Sequence, residues 1–240
     1  MNIKKFTKPA RRLLKLRYCG AVIVAAGNAS RMGGIDKVMA PIAGEPMIVK
    51  TVRAFQDCPA IREIVIVTRP DLMETVMGLC KAFEKVTCVV AGGADRAESV
   101  HNGLNALSAK VRLAAVQDGA RPLVTWELID RVVRAANSYG AAAPGIAVKD
   151  TTKLVRGGMV ESTPDRSALR AIQTPQVFEF DLLRGALQKA KEEGAVITDD
   201  CSAVERLGMC VRIVEGDERN IKVTTPMDLK LAQMLWEETQ

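Results

Sequence analysis

Apolar runs of strand length alternate along this chain with stretches in which apolar residues recur at helical spacing. Strands are predicted at residues 20–26, 64–68, 86–90, 113–117 and 210–214. Helices are predicted at residues 47–55, 72–83, 96–107, 126–138, 180–193, 199–207 and 226–236. Because strands that are apolar on both faces need helices on both sides, the pattern predicts an α/β fold. We expect a single Rossmann-like domain with a mostly parallel sheet covered by helices on both faces.

The alternation is interrupted after Ala147. Residues 149–170 are polar and include Gly157, Gly158 and Pro164. Glycine and proline within a polar stretch favour turns over another strand and helix. This segment is therefore predicted to project from the domain as a β-arm.

Length and composition are compatible with one domain. A chain of 240 residues of which 48% are apolar can bury a large core. Its apolar runs are all shorter than the roughly 18 to 20 residues that cross a bilayer, and its first residues lack the apolar centre of a secretory signal. We expect one folded domain over residues 19–240, in a cytoplasmic protein that makes no stable association with membranes.

The net charge of +6 is concentrated at the N-terminus. Residues 1–18 contain seven basic residues and no acid, so the remaining 27 basic and 28 acidic residues leave a net charge of −1. We favour a flexible, solubilising extension for residues 1–18, while a helix on a membrane surface and a targeting sequence are the alternatives. The domain carries no excess positive charge, and the whole chain contains only two tryptophans and two tyrosines for stacking. Both observations argue against nucleic acid as a partner.

The six cysteines show no paired short spacing, which favours buried, reduced thiols and a reducing compartment. The single histidine, His101, is accompanied by no cysteine cluster. A zinc site therefore lacks plausible ligands.

A glycine-containing loop follows the first predicted strand. Gly27, Gly33 and Gly34 allow the backbone to approach an anion closely, and Arg31 and Lys37 add positive charge. Ligands of parallel sheets bind beyond the carboxyl ends of strands, where this loop begins. The pattern indicates a phosphate-binding loop, and an ordinary glycine-rich turn with two solvated cations is the alternative.

A second loop at the end of strand 113–117 carries Asp118, Gly119 and Arg121. It brings a carboxylate and a guanidinium to the same edge of the sheet as the glycine loop. Mg²⁺ generally binds one or two carboxylates together with substrate phosphates, so Asp118 is a candidate metal ligand. A turn or helix cap at Asp118 is the competing interpretation.

Several short motifs carry a resemblance to known enzymes. Ala25-Ala26-Gly27, Arg31-Met32-Gly33 and Lys37 resemble the signature loop of the sugar-nucleotidyltransferase superfamily. From residue 20 to the C-terminus, the chain resembles the 2-C-methyl-D-erythritol 4-phosphate cytidylyltransferase family. The motifs that carry this second resemblance are Gly92-Gly93-Ala94-Asp95-Arg96-Ala97-Glu98-Ser99-Val100, Asp118-Gly119-Ala120-Arg121-Pro122, Asp150-Thr151, Gln173-Thr174-Pro175-Gln176, Thr198-Asp199-Asp200 and Asn220-Ile221-Lys222-Val223-Thr224.

The resemblance implies transfer of CMP from CTP to 2-C-methyl-D-erythritol 4-phosphate, with release of pyrophosphate, in the non-mevalonate isoprenoid pathway. Mg²⁺ or another divalent cation would assist, and the arm at residues 149–170 would form a homodimer. The implied CTP-binding residues are Ala25, Ala26, Gly27, Gly92, Gly93, Asp95, Ser99, Asp118 and Gly119. The implied catalytic residues are Arg31, Lys37, Arg166 and Lys222. The residues expected to bind the substrate phosphate are Arg121, Thr151, Arg166 and Lys222.

The reaction chemistry agrees with a site rich in cations. A phosphomonoester is largely dianionic near neutral pH, since its second pKa is about 6. It can therefore attack the α-phosphorus of CTP in line, without a general base or a covalent intermediate, once the repulsion between the anions is overcome. Lys222, between apolar Ile221 and Val223, is typical of a lysine beside a strand at a sheet edge.

Other interpretations of the same residues stay open from the sequence. The alternative enzyme is a ribitol-5-phosphate cytidylyltransferase, and the alternative outside catalysis is a nucleotide-binding regulator. Asp95 is also a plausible helix cap, and Arg166, without the resemblance, is typical of a solvated residue on the arm.

Overall fold

The predicted apolar runs form the central strands of the protein. The computed structural model describes residues 15–27 and 37–238. Its strands are β1 (Cys19–Ala25), β2 (Pro41–Ile42), β3 (Glu45–Pro46), β4 (Ile61–Thr68), β5 (Val86–Ala91), β6 (Leu113–Asp118), β7 (Ala141–Ala147), β8 (Leu154–Arg156), β9 (Met159–Ser162), β10 (Arg170–Ile172), β11 (Gln176–Glu179) and β12 (Arg212–Glu215). Its helices are α1 (Met47–Asp57), α2 (Met73–Cys80), α3 (Arg96–Ala106), α4 (Trp126–Tyr139), α5 (Phe180–Glu192), α6 (Asp200–Glu205) and α7 (Pro226–Glu237).

The main sheet is mostly parallel, which confirms the predicted fold class. Its strands lie in the order β10-β7-β11-β6-β1-β4-β5, and β12 pairs with β7. The pairs between β1, β4, β5 and β6 are parallel, and so is the pair of β12 with β7. Strand β7 and the antiparallel strands β10 and β11 were not predicted.

The predicted arm is shorter than residues 149–170. Its hairpin consists of β8 and β9, which pair in an antiparallel manner. Arg170, the last residue of the predicted arm, instead starts β10 and pairs with Ala147 of the main sheet. This pairing with β7 makes residues 170–172 a strand of the domain.

Helices cover both faces of the sheet, as the apolar runs predicted. Successive residues of β1 and β4 point to opposite faces, and neighbours such as Val22 and Ile23, or Val65 and Ile66, are fully buried. One face packs against α1 and α4, and its buried residues include Ile23, Ile64, Ile66, Ile48, Phe55 and Ile129. The other packs against α3 and α5, and its buried residues include Val22, Val65, Val67, Leu104 and Leu183.

Helix α3 lies very close to the sheet at Gly103. A Cβ atom added to Gly103 would lie 2.3 Å from Cγ1 of Val22 and 2.8 Å from Cγ2 of Val67. Both valines are fully buried. This contact sets the depth of the helix whose first turn borders the site described below.

Gly103→Ala is expected to lower the free energy of unfolding by about 1–3 kcal/mol, because the methyl group overfills a packed contact. The matched control is Gly185→Ala in α5, where an added Cβ meets no atom within 4 Å. There, the higher helix propensity of alanine should raise the free energy of unfolding by up to about 1 kcal/mol. Urea denaturation of both variants measures the difference, and equal effects would contradict the close contact of α3 with the sheet.

Residues just before β1 already contact the domain. The side chain of Arg17 donates hydrogen bonds to Asn137 and forms an ion pair with Glu179, with Nη1 2.6 Å from Oε1. The carbonyl of Tyr18 accepts hydrogen bonds from the backbone of Arg112 and Leu113. Contacts of the domain thus begin before the predicted boundary at residue 19, whereas residues 1–14 of the predicted extension lie outside the described residues.

Two further predictions concern membranes and thiols. Within residues 15–27 and 37–238, no helix is long and apolar enough to cross a bilayer. Four of the cysteines are buried free thiols, as expected, but Cys210 is exposed and Cys88 is partly exposed.

Candidate active site

A cavity of about 270 Å³ opens beyond the carboxyl ends of β1, β5 and β6, where ligands of parallel sheets bind. It brings together many of the residues that the sequence predicted. Its lining comprises Val24, Ala25, Ala26, Gly27, Lys37, Val38, Gly93, Ala94, Asp95, Arg96, Ser99, Asp118, Ala120 and Lys222.

The loop between β5 and α3 forms one wall of the cavity. A Cβ atom on Gly92 would lie 2.3 Å from Cβ of Ala26, so glycine permits the close approach of the two loops. Asp95 is the N-cap of α3, and its Oδ1 accepts a hydrogen bond from the backbone N–H of Glu98 at 2.8 Å. The predicted cap at Asp95 is confirmed.

Ser99 holds this loop in shape. Its hydroxyl donates to the carbonyl of Asp95 at 2.8 Å and accepts from the backbone N–H of Gly93 at 3.0 Å. The side chain is buried. Through these two hydrogen bonds, Ser99 holds the backbone of Gly93 and Asp95 in place. Its predicted contact with CTP stays a prediction.

The glycine loop is described only at its two ends. Ala25 ends β1, and it lines the cavity together with Ala26 and Gly27, which follow the strand. The ammonium of Lys37 lies against Gly27, 3.6 Å from the position that a Cβ atom would occupy there. Arg31 lies outside the described residues.

Asp118 is surrounded by three cationic side chains. Its Oδ2 lies 2.9 Å from Nζ of Lys222 and 3.6 Å from Nε of Arg121, and its Oδ1 lies 3.6 Å from Nε of Arg96. Burial disfavours the charged carboxylate, but the three cations outweigh that effect and lower the pKa of Asp118 below its usual value. Asp118 is therefore ionised near neutral pH.

Arg121 is a structural part of the site. It is buried, and its Nη1 donates a hydrogen bond to the carbonyl of Asn220 at 2.6 Å. Burial lowers the pKa of this guanidinium, although the nearby charge of Asp118 acts in the opposite direction. Arg121 thus joins the loop after β6 to the segment that carries Lys222, and its contact with a substrate phosphate stays a prediction.

Lys222 lies in an irregular segment between β12 and α7, and not beside a strand as the sequence suggested. The segment is held to the loop after β6 because the backbone N–H of Val223 donates to the carbonyl of Ala120 at 2.8 Å. This backbone hydrogen bond, and not pairing within the sheet, positions the ammonium group of Lys222.

Residues 173–176 join the parts of the site, a role that the sequence did not reveal. The hydroxyl of Thr174 accepts a hydrogen bond from the backbone N–H of Asp118 at 3.1 Å. The side chain of Gln173 donates to the carbonyl of Asp217 at 2.7 Å, and that of Asn220 donates to the carbonyl of Thr174 at 2.9 Å. The strand that begins at the end of this segment, β11, was not predicted, so the position of these residues could not be inferred.

Arg96 and Asp200 are further residues that the prediction missed. Nη2 of Arg96 lies 2.7 Å from Oδ2 of Asp200, and Asp200 is fully buried. Burial raises the pKa of Asp200 despite the charge of Arg96. The motif that contains Asp200 was visible in the sequence, but the pair spans 104 residues and required the fold to bring it together.

Thr151 and Arg166 do not line the cavity of this chain. Both are exposed on the segments that precede and follow the hairpin, and Nη1 of Arg166 donates to the carbonyl of Lys149 at 2.7 Å. Their predicted role in binding the substrate phosphate stays a prediction.

The donor set at Asp118 limits how a divalent cation could be held. Among the described residues, no group of three histidine, cysteine, aspartate or glutamate side chains could hold a metal ion. A single ionised carboxylate in a cavity is nevertheless enough for Mg²⁺ when nucleotide phosphates supply most of the ligands. The residues present therefore fit a cation that arrives with its nucleotide.

Cations around one ionised carboxylate, at the carboxyl ends of parallel strands, are suited to binding and transferring a phosphorylated group. The fold and the site thus define a nucleotidyltransferase. The sequence model of the 2-C-methyl-D-erythritol 4-phosphate cytidylyltransferase family matches residues 19–238. The chain belongs to this family, and the resemblance noted in the sequence is confirmed.

Individual relatives agree with this assignment. A 2-C-methyl-D-erythritol 4-phosphate cytidylyltransferase of Caldanaerobacter subterraneus subsp. tengcongensis is 45% identical over 219 residues, which cover 89% of this chain and 96% of the relative. The namesake from Geobacillus kaustophilus is 43% identical over 218 residues, covering 90% and 95% of the two chains.

Solved structures show the same fold. The crystal structure of 4-diphosphocytidyl-2C-methyl-D-erythritol synthase from Anaerococcus prevotii has a TM-score of 0.85 at 28% identity, covering 92% of this chain and 96% of that one. The structure of 2-C-methyl-D-erythritol 4-phosphate cytidylyltransferase from Thermus thermophilus has a TM-score of 0.75 at 34% identity, covering 90% and 98%. The predicted enzyme class, a cytidylyltransferase of the isoprenoid pathway, is confirmed.

Proposed function

We propose that this chain transfers CMP from CTP to 2-C-methyl-D-erythritol 4-phosphate by direct in-line attack of the acceptor phosphate on the α-phosphorus. The observation that carries the proposal is the group of cations around Asp118. Lys222, Arg96 and Arg121 lie within 3.6 Å of its carboxylate, and Lys222 and Arg96 line the cavity together with Lys37. Such cations offset the repulsion between two anionic substrates and stabilise charge on the leaving pyrophosphate.

Different lining residues of the cavity suit the two substrates. Gly27, Gly93 and the backbone at the N-terminus of α3 present small groups and N–H donors, which favours the nucleotide there. Lys222 lies beside Asp118, and we expect it to contact the α-phosphate and the incoming phosphate. The acceptor dianion needs no general base, so the side chains act by positioning and charge.

Mg²⁺, or another divalent cation, is part of the proposal. Asp118 would contribute one carboxylate oxygen, and the triphosphate would provide other ligands. Bound there, the cation would reduce the negative charge of the triphosphate. Binding would also reorganise the contacts of Asp118, because Lys222 now shares Oδ2 with Arg121.

A pyrophosphate-release assay with CTP and Mg²⁺ tests the function. Parallel reactions contain 2-C-methyl-D-erythritol 4-phosphate or ribitol 5-phosphate, and we expect release with the first. Turnover of ribitol 5-phosphate alone would make the chain a ribitol-phosphate enzyme. Thermal stabilisation by CTP and Mg²⁺ without turnover of either acceptor would favour a nucleotide-binding regulator.

We also propose a homodimer in which the arm completes the site of the partner subunit. Four apolar side chains on β8 and β9 are more than half exposed: Leu154, Val155, Met159 and Val160. Exposed apolar side chains grouped on one hairpin favour a protein interface. A second copy of the chain is the proposed occupant because Thr151 and Arg166, on this arm, are absent from the cavity of their own chain.

Mixing two inactive variants tests the shared site. We expect Arg166→Gln and Lys222→Met to be nearly inactive alone, while subunit exchange should restore about a quarter of wild-type activity, because half of the dimers then contain one intact site. Light scattering measures the dimer, and mixing without exchange is the control. A monomer, or an exchanged sample that stays inactive, would exclude a site completed by the arm.

A further inference from the structure

Asp200 is a fully buried carboxylate that forms an ion pair with Arg96. Its Oδ2 accepts a hydrogen bond from Nη2 of Arg96 at 2.7 Å, and its Oδ1 has no hydrogen-bond partner in the described part of the chain. Removing one member of a buried ion pair is costly because the other charge is left without compensation. The ion pair with Asp200 therefore holds the Nη2 end of the Arg96 guanidinium firmly in place.

The other side of the same guanidinium faces the cavity. Nε of Arg96 lies 3.6 Å from Oδ1 of Asp118, and Arg96 lines the cavity. Its side chain is 30% exposed, whereas Asp200 has no exposed surface. Arg96 thus lies between a buried carboxylate and the carboxylate of the site.

The position of Asp200 is itself fixed from two sides. Asp199 is the N-cap of α6 and forms a capping box with Ser202. The side chain of Gln176 donates to Oδ2 of Asp199 at 2.8 Å and accepts from the backbone N–H of Cys201 at 3.1 Å. These bonds hold the residues on both sides of Asp200 against β11.

We infer that Asp200 is a positioning residue for the nucleotide site, which holds Arg96 away from full contact with Asp118 and leaves guanidinium N–H groups available to the triphosphate. The inference deepens the proposed function and rests on CTP binding in this cavity. Without the charge of Asp200, Arg96 would move onto Asp118 and compete with the cation and the nucleotide for it. Arg96 would touch the substrate, whereas Asp200 would act only through Arg96.

Asp200→Asn tests this role. We expect kcat/KM for CTP to fall by about tenfold to a hundredfold, a typical range for residues that orient a ligand-binding group. The change should lie mostly in KM for CTP, with KM for 2-C-methyl-D-erythritol 4-phosphate changed less than about twofold, since Asp200 acts on the nucleotide side. Asp181→Asn, which changes the exposed pair of Asp181 with Arg184 on α5, is the matched control.

A double-mutant cycle separates positioning from a merely structural role. Arg96→Gln leaves Asp200 buried without its partner and should unfold at a lower temperature, whereas Arg96→Gln with Asp200→Asn should regain most of that loss. The kcat/KM of this double variant for CTP should stay as low as that of Arg96→Gln alone. Recovery of kcat/KM together with thermal stability, or an equal loss from Asp200→Asn in both backgrounds, would overturn the inference.

Calorimetric titration with CTP and Mg²⁺, without acceptor, provides an independent readout. If wild-type protein bound CTP but failed to transfer CMP, the proposed function would fail, and the weaker binding by Asp200→Asn would still support the inference. Equal CTP affinities of wild type and Asp200→Asn would reject the positioning role even if the transferase activity were established.

Discussion

Lys222→Met is expected to lower kcat/KM for CMP transfer by about a hundredfold or more. The ammonium lies 2.9 Å from Oδ2 of Asp118, and the side chain is 40% exposed at the cavity. Methionine keeps the length and the apolar stem but lacks the charge that stabilises the phosphate oxygens in the transition state. The loss should therefore appear in pyrophosphate-release kinetics, with little change in the thermal unfolding midpoint.

Lys230→Met on α7 is the matched control, because it makes the same change on an exposed lysine away from the cavity. It should keep the wild-type kcat/KM. If Lys222→Met kept kcat/KM within about threefold of wild type, the charge of Lys222 would not stabilise the transition state as expected here.

Asp118→Asn is expected to reduce both activity and stability. Three cations lie within 3.6 Å of this carboxylate, and the amide would leave them facing one another without its charge. Breaking a largely buried ion-pair group in this way costs about 3 kcal/mol. Activity should fall by about a hundredfold or more, because the variant also loses the oxygen ligand proposed for the divalent cation.

The stability difference should depend on pH in a defined direction. Because the pKa of Asp118 is lowered in the folded state, its charge stabilises the fold above the unfolded pKa of about 3.9, and this contribution is lost as the pH falls through the folded value. Urea denaturation should show the full difference between wild type and Asp118→Asn at pH 7, and a smaller difference in acid below about pH 4.

Asp71→Asn is the control for this comparison. Asp71 also forms an ion pair, with Nη2 of Arg69 at 2.9 Å, but on the surface. Its replacement should leave the urea midpoint at pH 7 unchanged, since exposed pairs contribute little. If Asp118→Asn unfolded at the same urea concentration as wild type at pH 7, the three cations would not be stabilised by Asp118.

Most of the central strands were predictable because they are apolar on both faces. Strand β7 is largely buried as well but was not predicted, since its alanines, proline and glycine have little strand preference. Buried parallel strands such as β1 and β4 leave a strong local pattern, and their positions were predicted within a few residues. In contrast, β10 and β11 are short and include Arg170 and Gln176. Pairing with β6 and β7 makes them strands, and that information is not local.

The candidate site shows the same division. Asp118 was predictable because a carboxylate at the end of an apolar run falls at the ligand-binding edge of a parallel sheet. Asp200 was not, since its sequence neighbour Asp199 provides the visible capping signal, and only the fold shows that Asp200 is buried against Arg96. The irregular segment at Lys222 likewise depends on a backbone bond to Ala120.

Residues 173–176 have a consequence for changing the specificity of this protein. Thr174, Gln173 and Gln176 hydrogen-bond to Asp118, Asp217 and Asp199, and so connect the loops of the proposed nucleotide and acceptor sides. We therefore expect a change in the loops of one side to displace the loops of the other. Grafting residues 217–222 from an enzyme with a different acceptor would alter the spacing at Asp118 as well, so a successful graft has to bring the matching 173–176 segment with it.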